Sequence, residues 1–204
     1  MTALATPETS QVLIVNPLIQ FIDQLTEERM ATFQQGVVHL TTAASSASIP
    51  CLCAASTGQA TIDQALSEPL DSRLVHFFRF DRRHSIWTNE ELSNLMNSQN
   101  RPQLYICGFW LDDILAAAAI EAQTRAFDTH IITDLSPAHS DTDWHPFFDR
   151  IKQYGIVPIC LTALLYEWMA NTKDTERCAT LEALWLKNKL NHHQGASVPR
   201  TGLS

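Results

Sequence analysis

Short, continuous apolar runs alternate along this chain with longer segments of helical period. Residues 12–15 (VLIV) have no polar interruption, as expected of a central parallel strand covered on both faces. Asn16-Pro17 ends the run. From 26 to 46 the period changes. Phe33, Val37 and Leu40 recur at helical spacing, Thr26 fits an N-cap, and Glu27 and Glu28 suit the positive end of a helix. Ile49-Pro50 breaks that helix, and CLCAAS (51–56) forms a second strand. Residues 57–72 read as loop and 74–78 (LVHFF) as a third strand. The charged, aromatic loop RFDRRHSIW leads to a helix that starts near 88–92 and ends before Arg101-Pro102.

The stretch 103–134 carries the most information. It predicts a strand at 103–107, a helix at 112–125 and a strand at 130–133, which together make a βαβ unit. Its first turn, 108–114, is where such folds place their chemistry. Further on, the pattern predicts a helix at 144–154 closed by Gly155 at its C′ position, a sixth strand at 156–161, and helices at 163–170 and 175–190. Strands alternating with helices imply an α/β fold: a three-layer α/β/α sandwich around a six-stranded parallel sheet with right-handed crossovers. No repeat or linker divides it, so 1–190 reads as one domain and 191–204 as a polar tail.

Composition narrows the function classes. A chain of 204 residues, 45% hydrophobic, suits one globular domain. Fourteen basic against 22 acidic residues give a net charge of −8, which disfavours nucleic acid and anionic membrane as partners. No apolar run reaches about 18 residues, and the first ten residues lack the basic and apolar regions of a signal peptide, so a cytoplasmic location is expected. Of the cysteines at 51, 53, 107, 160 and 178, all but the last lie in or beside apolar segments and read as buried free thiols. Cys51-x-Cys53 has no second pair nearby to make a metal site.

VLIVNPLIQF at the first strand resembles the strand–Asp–x–Gln opening of the isochorismatase-like cysteine hydrolases. The segment HSIWTNEELSNLMNSQNRPQLYICGFWLDDILAAAAIEAQTRAFDTHIITDLSPA follows that family in order and spacing. A small–x–aromatic motif comes first, then a helix, a strand, the G-V-x-T-[DE]-x-C turn, a helix, and a strand ending in Asp. GIVPICLTALLYEW resembles the YcaC-type branch. The resemblance covers about 12–168. It implies the isochorismatase-like fold, homo-oligomeric assembly (YcaC-type relatives are octamers), and an Asp-Lys-Cys triad. In that triad the Asp is the base, the Lys a cation and the Cys the nucleophile. A thiol at a helix N-terminus beside a cation is held as thiolate, which is why its position matters.

Carried over position by position, the triad is degenerate. The Asp position falls on Asn16, the Cys position on Ile114 and the threonine of the turn on Leu111. The Lys position falls on Arg82, with a neighbouring register placing Asp81 there. Phe21, Trp87 and Asp112 match the family. Phe109 and Trp110 replace small residues of the turn, and the cis peptide that relatives carry there is expected between these two. Together these five residues are the expected pocket. The implied protein binds or assembles rather than hydrolyses, takes a small-molecule ligand and needs no cofactor. The alternative is a divergent hydrolase of small amide or ester-like compounds. It would use Cys107, or a water on a metal held by His139, Asp141, Asp143 and His145, which stand at alternate positions. Arg79, Arg82, Arg83 and His84 concentrate positive charge, suited to a carboxylate if they face the pocket, or to acidic neighbours across a subunit interface.

Overall fold

In the computed structural model, which describes residues 4–17, 25–56, 75–140 and 144–195, the apolar runs become strands. They are β1 (Ser10–Val15), β2 (Cys51–Ser56), β3 (His76–Phe80), β4 (Gln103–Gly108), β5 (Asp128–Ile132) and β6 (Val157–Ile159). The helices are α1 (Glu27–Ser46), α2 (Glu90–Ser98), α3 (Ala116–Thr124), α4 (Trp144–Gln153), α5 (Leu161–Ala170) and α6 (Thr175–Gly195). The sheet runs in the order β3-β2-β1-β4-β5-β6 with every neighbouring pair parallel. The chain steps outward from β1 to β3 and then returns to β4. The switch point therefore lies between β1 and β4, where parallel sheets open a crevice at the carboxyl ends of their strands.

Alternation along the strands sorts the core into two layers. Val12, Ile14, Cys51, Cys53, Tyr105 and Cys107 face α1, α5 and α6, while Leu13, Val15, Leu52, Ala54, Leu104 and Ile106 face the layer built by α2, α3 and α4. β1, β2 and β4 are buried at every position, which is why they read as unbroken apolar runs. α1 starts as its sequence suggests: the Thr26 hydroxyl accepts from Arg29 N–H at 3.3 Å. Gly155 stands at φ +79°, the left-handed conformation that a residue closing a helix adopts.

Four boundaries differ from the periodicity. β3 lies at His76–Phe80 rather than 74–78, because pairing continues through Arg79↔Ala55 and Phe80↔Ser56. β5 starts early, at Asp128, which pairs with Gln103. β6 is only Val157–Ile159, since α5 begins at Leu161, whose N–H is capped by Asp134 Oδ1 at 2.8 Å. That early start leaves Cys160 exposed at the helix N-cap, so it is not the buried thiol its apolar neighbours suggested. The helix expected at 112–125 is broken. Leu111–Leu115 forms a wide π-type turn with Asp113 at φ −130°, ψ −117°, and regular helix resumes at Ala116.

Near the C-terminus the large apolar side chains divide between core and surface. Trp168, Leu181 and Leu184 are buried in the core, with Trp168 Nε1 donating to Ser10 Oγ at 2.9 Å. The exposed apolar residues on these helices are Tyr166, Leu186 and Leu190. No helix among the described residues is long and apolar enough to cross a membrane.

Where α1 meets α5 and α6, a small polar knot is buried. His39 is 7% exposed and its Nδ1 has no partner, while Asn188 Nδ2 donates to Thr162 Oγ1 at 2.8 Å. Burial lowers the His39 pKa below its ordinary 6.5; hydrogen bonding to Asn188 opposes this and the nearby Lys187 charge adds to it. A lowered basic pKa means that the unfolded chain binds this proton first as pH falls. Stability is thus unaffected by His39 above about pH 6.5 and declines below it, down to the folded-state pKa. The difference in urea midpoint between wild type and His39→Gln should shift in the variant's favour between pH 7 and pH 5. A pH-independent difference would remove His39 as the cause.

Candidate functional site

The site is built where β1, β3 and β4 end. Asn16 follows β1 directly and is buried at φ +47°, a conformation asparagine tolerates better than most side chains. Its N–H donates to Ala54 O at 2.8 Å, and its Oδ1 accepts from Ser56 N–H at 2.8 Å. The amide oxygen therefore joins the ends of β1 and β2. An amide at this position accepts that bond but takes no proton near neutral pH.

β4 leads into the turn through Gly108, and the Phe109–Trp110 peptide is cis, at the position where the sequence suggested it. Phe109 and Trp110 are buried in the layer that faces α1, with the Phe109 ring 4.4 Å from that of Phe33. Leu111, the next residue, is buried in the opposite layer. Two further contacts tie the turn to the chain after β5. Leu111 N–H donates to Pro137 O at 2.9 Å, and both oxygens of Asp112 lie 2.9 Å from His139 Nδ1. His139 also lies against Trp110, ring centroids 4.3 Å apart. Asp112 thus anchors the following loop.

Beyond this turn lies a cavity of about 280 Å³. Ile114 and Arg82 both line it, together with Arg83, His84, Asp113 and Glu121. The structure therefore brings together the positions matching the family's cysteine and, in the chosen register, its lysine. Asp81 instead holds Arg83, with Oδ2 2.6 Å from Nη2 and both carboxylate oxygens 3.1 Å from Nε. Hydrogen bonds and charge from Arg83 keep the Asp81 carboxyl well below the usual range. Glu121 accepts from Ser85 Oγ at 2.5 Å and from Arg125 Nη2 at 3.0 Å.

Other sequence candidates stand apart from this cavity. Trp87 is a core residue whose Nε1 donates to Ala118 O at 3.0 Å and whose ring stacks on Phe127. Cys107 is fully buried in the layer facing α1, beside Cys51 and Cys53, whereas the buried cavity wall at Ile86 and Ala118 belongs to the other layer. Burial pushes the Cys107 thiol well above its ordinary pKa and that of Cys51 up to about 12, the reverse of an activated thiol. Phe21, Asp141, Asp143 and the side chain of His145 lie outside the described residues. Among the described residues, no group of His, Cys, Asp and Glu could hold a metal ion.

Sequence reasoning missed Asp113, Ser85 and Glu121 as cavity residues. The small residue of the small–x–aromatic motif was visible in Ser85, but its bond to Glu121 joins residues 36 apart in the chain. A second cavity of about 320 Å³ lies between the start of α1 and the chain after β5, lined by Glu28, Arg29, Phe33 and Asp134 among others. None of the triad positions lines it.

The model of the isochorismatase domain matches residues 10–163. The probable hydrolase YcaC of Escherichia coli K12 is 29% identical over 69 residues, which are 34% of this chain and 33% of that relative, so the match spans about a third of its length. Three solved structures share the fold. YcaC from Escherichia coli, an octameric hydrolase of unknown specificity, superposes with TM-score 0.75 at 18% identity, covering 96% of this chain and 97% of the other. YcaC from Pseudomonas aeruginosa, bound to hexane-2,5-diol and covalent acrylamide, gives TM-score 0.77 at 17% identity over 97% and 99%. MAR1 ribonuclease from Caenorhabditis elegans gives 0.76 at 17% identity over 99% and 97%.

Proposed function

Because this chain belongs to the isochorismatase family, we propose that it is a member that binds a small molecule in the family's cavity and no longer runs the family's thiol chemistry. One observation carries the reading. Ile114 and Arg82 meet in one cavity, so the place for the nucleophile lies beside a retained cation but offers only a hydrocarbon side chain. Asn16 supports it, since its amide oxygen serves the β1–β2 junction and cannot act as a base. Losing the nucleophile alone abolishes covalent acyl transfer, and further losses within the triad add little to that.

Assembly is part of the proposal. Tyr166, Leu186 and Leu190 leave apolar surface on the α5–α6 layer, suited to a second copy of the chain, and YcaC from Escherichia coli is octameric. The net charge of −8 argues against carrying over the nucleic-acid chemistry named for the Caenorhabditis elegans relative.

The divergent-hydrolase reading through Cys107 needs a thiolate where burial disfavours one. The purified protein, assayed against small amides and activated esters, is expected to show no turnover above buffer. Hydrolysis that disappears in Cys107→Ala would overturn the proposal in favour of a relocated nucleophile.

A further inference from the structure

The charged residues that line the cavity are not equivalent. Arg83 is held by Asp81, which His84 also approaches at 3.7 Å, and Glu121 is held by Ser85 and Arg125. Arg82 and Asp113 remain. Both are exposed, and among the described residues neither side chain has a hydrogen bond or ion pair. Among the described residues, one free cation and one free anion thus border a single small concavity. The wall between them is apolar: Ile86, Ile114, Ala117 and Ala118.

Two features of the chain produce this arrangement. Asp113 has non-helical φ/ψ in the turn that precedes α3, and with Ile114 it lines the cavity. The alanines that open α3, Ala117 and Ala118 among them, leave space open where longer side chains would fill it. At about 280 Å³ the cavity sits at the small end of ligand sites.

Resting on the binding reading above, we propose that the ligand is a small amino-carboxylate zwitterion. Its carboxylate meets Arg82, its ammonium meets Asp113, and its hydrocarbon body lies on the Ile114–Ala118 wall. A guanidinium pairs a carboxylate through two parallel hydrogen bonds, and an exposed carboxylate accepts from an ammonium. Exposed ion pairs are individually weak, so selectivity comes from satisfying both ends at once.

The test uses the full chain and a ladder of straight-chain amino acids from glycine to 6-aminohexanoate, with pentanoate and pentylamine as one-ended controls. Affinities are read by protein-observed NMR titration. One rung is expected to bind about two- to fivefold tighter than either control, the gain that one further weak surface ion pair allows. Arg82→Gln should erase the advantage over pentylamine, and Asp113→Asn the advantage over pentanoate. Both positions are exposed and, among the described residues, unpartnered, so both variants should keep the wild-type spectrum elsewhere.

Pentanoate binding as tightly as every amino acid overturns the zwitterion, as does failure of the whole ladder, or a preference that survives both substitutions. These outcomes separate from failure of the binding reading. If the ladder fails and no amide or ester is hydrolysed, only the ligand class falls. If a rung binds through Arg82 and Asp113 while its methyl ester is turned over, recognition stands and the non-hydrolytic reading falls.

Discussion

Replacing Gly108 by alanine is expected to leave little folded protein. Gly108 stands at φ +126°, and an added Cβ would lie 1.8 Å from Val15 O, 2.7 Å from Val15 C and 2.9 Å from Val15 N. These are backbone atoms of the central strand, and the same Val15 carbonyl accepts from Phe109 N–H at 3.0 Å. Neither side can yield without breaking the β1–β4 junction. Such a clash belongs with the severe single substitutions, above about 4 kcal/mol. For a chain of this size that lowers the melting temperature by on the order of 10 °C or more. Gly155→Ala is the control: it shares a positive φ, but its nearest neighbour is Gln123 Nε2 at 3.6 Å, so it should cost about 1 kcal/mol. Circular-dichroism melts of both variants decide the matter. A Gly108→Ala protein melting within a few degrees of wild type would show that the turn can relax.

The second large effect is expected in thiol chemistry. Ile114→Cys places a sulfur in the cavity lined by Arg82 and Arg83, at a half-buried position next to the helix start. Arg82 and Arg83 stabilise a thiolate there and the Asp113 and Glu121 carboxylates oppose it; with Glu121 bonded to Ser85 and Arg125, the cations should prevail and the introduced thiol titrate below the ordinary value of about 8.5. Its alkylation by iodoacetamide, followed by site-resolved mass spectrometry, should be at least about tenfold faster than that of half-buried Cys178. The fully buried Cys51, Cys53 and Cys107 should stay unlabelled in the folded protein. Adding Arg82→Gln should raise the midpoint. An introduced thiol as inert as Cys107 would mean that position 114 does not open to the cavity. Amide turnover is not expected from this single change, since Asn16 supplies no base.

Most of the sheet was legible because buried parallel strands have a simple signature: β1, β2 and β4 are covered on both faces and are apolar without interruption. The edges were less legible. β3 and β6 each have one neighbour in the sheet, and their limits follow pairing and capping, as with Phe80↔Ser56 and the Asp134 cap on Leu161, rather than periodicity. Within the candidate site, motif spacing located Ile114 and Arg82, which do share a cavity. It could not tell that Phe109 and Leu111, two residues apart, would enter opposite layers of the core. Nor could it tell that Asp112 would be engaged by His139 while Asp113 remained without a partner among the described residues.

The sequence by itself determined the architecture, the family and the residue types at the triad positions, since these depend on local period, spacing and side-chain identity. Tertiary structure alone decided which charges were left over. Whether Arg82, Arg83, Asp113 or Glu121 is available to a ligand depends on ion pairs and hydrogen bonds formed within loops and between distant segments, such as Ser85 with Glu121. It also decided that Cys107, one residue from the turn, would be sealed away from the cavity, because alternation along β4 turns its thiol toward α1.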